Sequence, residues 1–127
     1  LLKLRQEDVY SPEELEQIQM ALLGLLYYTR QHDQRELPRC FLFCRTMAKN
    51  IDICRETGYV NRAELSELLR EDWRAAMERH SGLPEYYIPD DRVEVRISMA
   101  RAIERQIDWV DRLIFPREMR RTAENWQ

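Results

Sequence analysis

Ser11-Pro12-Glu13-Glu14, followed by Leu15, Ile18, Leu22 and Leu25 at helical spacing, is the stretch that decides the fold. Ser11 can accept hydrogen bonds from the free amides of a first turn, Pro12 has the backbone angle that turn needs, and Glu14 completes a capping box. Met20, Leu23, Leu26 and Tyr27 widen the apolar stripe beyond a single face. A helix with so broad an apolar surface must be covered on more than one side. Gly24 sits in its middle, where it costs about 1 kcal/mol relative to alanine. A close crossing by another helix explains that glycine; a groove for a ligand chain is the alternative.

Working outward, Asp33 to Pro38 is a polar break, and Pro38 can open a second helix. Cys40, Cys44, Met47, Ile51 and Cys54 then fall on one face, while Arg45, Lys49 and Asp52 point elsewhere. Gly58 is placed to end that helix in the left-handed conformation. A third helix starts at Asn61, with Glu64 three residues on in a second capping pattern. Its apolar stripe is Leu65, Leu68, Leu69, Trp73, Ala76 and Met77, and Ser81-Gly82 ends it. Prolines bracket the next segment, Leu83 to Pro89, which carries Tyr86, Tyr87 and Ile88 and reads as an extended strap.

Asp90 or Asp91 can cap a fourth helix. There Val93, Ile97, Ala100, Ile103, Ile107, Val110 and Ile114 form a three-four repeat, the mark of a helix docked along one groove or coiled on a partner. Pro116 stops it. The expected architecture is all-α within one domain, 1–127. It comprises a three-helix antiparallel bundle over 11–82, the strap at 83–89, a long fourth helix over 90–115 and a charged tail over 116–127.

Composition bounds the function. At 127 residues, 44% hydrophobic and with only three glycines, the chain has the content of one packed domain and too few turn signals for a many-stranded sandwich. Its 20 basic and 23 acidic side chains are interleaved, and lysine occurs only at Lys3 and Lys49. Nucleic-acid binders concentrate basic charge, because phosphate neutralisation supplies their affinity, so no nucleic-acid partner is expected. No stretch reaches the roughly 18 apolar residues that span a bilayer. Cys40, Cys44 and Cys54 lack the spacing of a zinc site and read as reduced core thiols, which suits a cytosolic or organelle-matrix compartment.

Reactive constellations are also missing from the sequence. There is no phosphate-cradling glycine loop and no metalloprotease or serine-hydrolase motif. A pairing of one cysteine with His32 or His80 is available to any chain of this composition and carries no argument. Gly58 to Leu65 has the spacing of the second half of an EF-hand loop. Its first ligand positions would be Ile53, Arg55 and Thr57, and the first two cannot offer calcium an oxygen. The reading is a non-enzyme with no cofactor and no metal.

Two families share short stretches with the chain. Leu4-Arg5-Gln6-Glu7-Asp8-Val9-Tyr10, Leu83-Pro84-Glu85 with Tyr87, Asp91-Arg92, Arg96-Ile97 and Ala100, then Phe115-Pro116-Arg117-Glu118 and Trp126, resemble in order the small matrix-side subunit of mitochondrial complex III. Arg39-Cys40-Phe41, Arg45 to Asn50, Glu67-Leu68-Leu69 and the tyrosine–proline strap are similar to the LYR-motif family of respiratory accessory subunits and assembly factors. That second likeness implies docking of an acyl carrier protein, although Ile18, Gln19 and Met20 stand where the family carries Leu-Tyr-Arg. Either resemblance implies a non-catalytic subunit, on the matrix side of the mitochondrial inner membrane, bound to other subunits of a respiratory complex. The residues expected to meet those partners are Tyr86, Tyr87, Ile88, Pro89, Ile97, Ile103, Ile107, Trp109 and Trp126. The rival reading is an EF-hand-like helical adaptor that grips a target helix without calcium.

Overall fold

A computed structural model describes residues 8–30, 38–78, 82–83 and 91–116. Its regular elements are the helices α1 (Pro12–Arg30), α2 (Arg39–Glu56), α3 (Arg62–Ala76) and α4 (Val93–Ile114). There is no strand among the described residues.

The capping box at the head of α1 forms as its sequence requires. The Ser11 amide donates to Glu14 Oε1 at 3.0 Å, and the Glu14 amide donates to Ser11 Oγ at 3.1 Å. Such a cap is worth about 1 kcal/mol, because two amides that the helix cannot satisfy are bonded reciprocally. Pro38 precedes α2 and its carbonyl accepts from Phe41 and Leu42. The helix ends on Gly58 at φ 72°, followed by Tyr59 at φ 65°, whose amide donates to the Cys54 carbonyl at 2.8 Å. Two consecutive left-handed residues turn the chain tightly into α3; the tyrosine holds a conformation that disfavours a side chain by about 1 kcal/mol or more.

Three boundaries depart from expectation. Asn61 does precede α3, but its side chain makes no capping bond, so the pattern with Glu64 is not used. Helix α3 stops at Ala76, several residues before Ser81-Gly82, since Met77 at φ −92° and ψ 11° has already left helical geometry. The residue that enters α4 is Arg92, not an aspartate. Asp91 lies one position too early to reach the first-turn amides, and Asp90 is outside the described residues.

One cluster of buried apolar side chains draws on all four helices. From α1 come Leu15, Ile18, Ala21, Leu22 and Leu25; from α2 come Cys40, Phe41, Cys44, Met47, Ile51 and Cys54. Leu65, Leu69, Trp73 and Ala76 of α3 and Ile103, Ile107, Val110 and Ile114 of α4 complete it. The single cysteine-bearing face of α2 is therefore core throughout. Leu68 is not: it is exposed, because Ser66 takes the inner side of α3. Ser66 Oγ accepts from the Tyr10 amide at 3.0 Å and donates to the Arg62 carbonyl at 2.7 Å, so the buried hydroxyl is fully engaged.

Tyr10 fastens the chain ahead of α1 to the far end of α4. Its hydroxyl donates to the Ile114 carbonyl, and the Arg70 guanidinium lies 4.6 Å over its ring while donating to the Asp8 carbonyl. Next to this joint, Trp73 Nε1 donates to Asp111 Oδ1 at 2.9 Å, and the Arg74 guanidinium sits 4.9 Å over Phe115. Between α1 and α2, buried Gln19 donates through Nε2 to the Ala48 carbonyl at 3.0 Å and to Asp52 Oδ1 at 2.7 Å. Arg55 closes this network by donating to Gln19 Oε1 at 2.6 Å and to Asp52 Oδ1 at 2.9 Å.

Candidate partner-docking face

Helix α4 is the element whose sequence asks for a partner, and the structure divides its apolar row in two. Ile103, Ile107, Val110 and Ile114 are buried, whereas Val93 is 54% and Ile97 is 49% exposed, and Ala100 is exposed as well. The cause lies in the register of α4 against α1. Tyr10 meets Ile114 and Gly24 meets Gln106, so the two helices run antiparallel. Six residues beyond Gly24 α1 ends at Arg30, and six residues before Gln106 lies Ala100. Val93 and Ile97 thus lie past the end of that helix, while Met99 beside them still packs on the core, because the consecutive steps of three from Ile97 through Ala100 to Ile103 also carry the row off the buried face.

Gly24 itself answers to the close crossing its position suggests. A Cβ there would run into the side-chain amide of Gln106, which rests on the bare backbone of α1.

The projecting end carries polar groups beside its apolar ones. Glu94, Ile97, Ser98, Arg101 and Arg105 line a shallow groove of about 420 Å³. It opens along one helix rather than into the interior, so it offers a docking surface and not a chamber that excludes water.

The residues expected to meet a partner fall into three sets. Ile97 and Trp109 are exposed, the latter at 44%, although Trp109 sits on a different flank of α4 from the apolar row. Ile103 and Ile107 are corrected to core residues, at 3% and 7% exposure, because α1 and its neighbours already cover them. Tyr86, Tyr87, Ile88, Pro89 and Trp126 lie outside the described residues. A surface that the seam pattern did not single out is the outer side of α1, where Met20, Leu23 and Tyr27 are 60%, 50% and 56% exposed. Its signal was the excess width of the α1 stripe.

The three cysteines are buried. Burial pushes the Cys44 thiol far above its ordinary range and raises that of Cys40, so both stay protonated at neutral pH. Cys40, Cys44 and Cys54 are all free thiols. His32 and His80 lie outside the described residues, and no group of metal-ligating side chains occurs among those described. The EF-hand spacing finds no loop to occupy, since residues 53–56 are still the last turn of α2. No described helix is long and apolar enough to cross a membrane.

Comparison with family models, with curated proteins and with solved structures finds no match for this chain.

Proposed function

We propose that this chain is a non-catalytic accessory subunit of a mitochondrial respiratory-chain complex, acting through protein–protein contacts on the matrix side of the inner membrane. The observation that carries the reading is the unfinished row of α4: Val93 and Ile97 continue a core-forming pattern past the end of α1 and stand exposed. Apolar side chains in such a row are placed for burial against another chain. The ordered likeness of the segments at Leu4 to Tyr10, Leu83 to Ala100 and Phe115 to Trp126 to the complex III subunit supports the choice of assembly. So does the likeness of the second and third helices to the LYR-motif family.

In this reading the chain is a helical bundle joined by the strap segment, 83–89, to an α4 whose free end lies against neighbouring subunits. An acyl carrier protein is a less favoured partner. Met20, which falls where the LYR-motif family carries its arginine, offers no positive charge to an acidic partner.

The test is isolation of the full chain, tagged at one end, from mitochondria in mild detergent, followed by native electrophoresis. Co-migration with respiratory-complex subunits at a fixed ratio is the expected result. A chain found only as free low-mass protein, or bound only to components of another compartment, would overturn the proposal.

A further inference from the structure

The groove at the projecting end of α4 carries a charge pattern that points to the chemistry of its occupant. Glu94, Ile97, Ser98, Arg101 and Arg105 line it, and all five are exposed. Glu94 and Arg105 stand about 16 Å apart along the helix, at about 1.5 Å of rise per residue. Arg101 and Arg105 are one turn apart on the same side, where like charges repel. The chain supplies each with an acidic neighbour at helical pairing distance, Glu104 three residues from Arg101 and Asp108 three residues from Arg105. Neither pair closes. No ion pair joins Arg101 or Arg105 to a described residue, and Glu104 and Asp108 do not line the groove. Two guanidiniums therefore stand beside Ile97 with no described carboxylate to answer their charge.

We propose that this groove takes an acidic amphipathic helix of another protein. One apolar side chain of that helix packs on Ile97, and two carboxylates one turn apart pair with Arg101 and Arg105. Carboxylates four residues apart on a helix repeat at the spacing of the two arginines, and each guanidinium can donate two parallel hydrogen bonds to one carboxylate. Glu94 sets the direction. A carboxylate at its end of the groove would be repelled, so the acidic turn of the occupant lies toward Arg105. A helix resting in the groove meets only the lining residues. An anionic bilayer would meet the whole outer side of α4, including the exposed Glu104 and Asp108, which it repels. The inference rests on the docking role proposed for the same end of α4 and adds what the partner must carry.

The experiment titrates two fluorescent helical peptides with the purified full chain and reads anisotropy. Both peptides carry one leucine flanked by two charged residues a turn apart, glutamates in one and lysines in the other. The glutamate peptide should bind saturably, less tightly as salt is raised, and at least about tenfold more tightly than the lysine peptide. Arg101→Glu combined with Arg105→Glu should invert that preference with an unchanged helical spectrum, since both side chains are exposed. The proposal is overturned by a glutamate peptide that does not bind up to the millimolar range, or that the double reversal leaves bound. Preferential binding to phosphatidylcholine vesicles containing phosphatidylglycerol also overturns it, as does self-association of the chain that the double reversal abolishes. Native electrophoresis in mild detergent separates this inference from the reading beneath it. A wild type that enters a respiratory complex from which the double reversal does not release it defeats the acidic helix and leaves the accessory-subunit reading standing. A wild type that enters no respiratory complex but binds the glutamate peptide defeats that reading alone.

Discussion

The hydroxyl of Tyr10 donates to the carbonyl oxygen of Ile114 at 2.6 Å, joining positions 104 residues apart. Both groups are buried, and the bond links the segment before α1 to the last turn of α4. The final carbonyls of a helix have no partner within it, so an outside donor there removes a desolvation cost as well as adding a bond. Tyr10→Phe keeps the ring beneath Arg70 and deletes only that donor. The expected loss is about 1–2 kcal/mol in urea denaturation, with no change in the helical spectrum of the native state.

The same residue sets an alkaline limit. Burial raises the Tyr10 phenol from 10.0 to about 12, with the positive charge of Arg70 opposing the rise in part. The fold therefore favours the neutral phenol. Below pH 10 both folded and unfolded chains hold the proton, and the stabilisation is fully present. Between pH 10 and pH 12 the unfolded chain releases it first, so stability falls as pH rises. Denaturation midpoints should decline over that window in the wild type and decline less in Tyr10→Phe.

Gln19 and the Asp52–Arg55 ion pair belong to one network but are not equal in weight. Asp52 and Arg55 are about half exposed, at 54% and 41% for their side chains, and a solvated pair of this kind contributes about 0–1 kcal/mol. Gln19 is 8% exposed and bonds both neighbours as well as the Ala48 carbonyl. Gln19→Ala should cost about 1–2 kcal/mol, whereas Asp52→Asn should cost under about 0.5 kcal/mol. Equilibrium unfolding of both variants and of the double variant reads the difference and the coupling between them.

The buried thiols lead to a chemical prediction. At neutral to mildly alkaline pH the Cys44 thiolate is disfavoured by burial, and its sulfur is shielded by the core. Iodoacetamide should leave Cys44 unmodified in the native chain and alkylate it once urea is added, as peptide mass spectrometry can record. Rapid native labelling of Cys44 would contradict the assignment of the whole α2 face to the core.

Much of this was legible in the residues, and the parts that were not share a cause. The Ser11–Glu14 box, the α2 face from Cys40 to Cys54 and the Gly58 terminator are local, set by interactions within a few residues, and each appears where its pattern puts it. The Asn61 pattern did not become a cap, and Leu68 did not join the core, because Ser66 and Tyr10 meet across 56 residues and fix which side of α3 faces inward. The division of the α4 row is partly written in its own spacing, since the two consecutive steps of three from Ile97 to Ile103 turn Ile97 off the face on which Met99 packs. The rest depends on where α1 runs out, which is a property of helix register. Likewise the width of the α1 stripe announced a need for cover, but only the packing revealed that Met20, Leu23 and Tyr27 stay at least half exposed.

The central claim is that the projecting end of α4 holds the chain in a respiratory assembly. Val93→Glu combined with Ile97→Glu tests it most directly, because both side chains are already half exposed and the fold should lose no more than about 0.5 kcal/mol. The measurement is native electrophoresis of mitochondria, in mild detergent, from cells carrying the wild-type or the doubly substituted chain. The wild type should migrate within a respiratory complex, and the variant should run free while melting at the wild-type temperature after purification. A variant that stays in the complex, or a wild type that never enters one, would contradict the account.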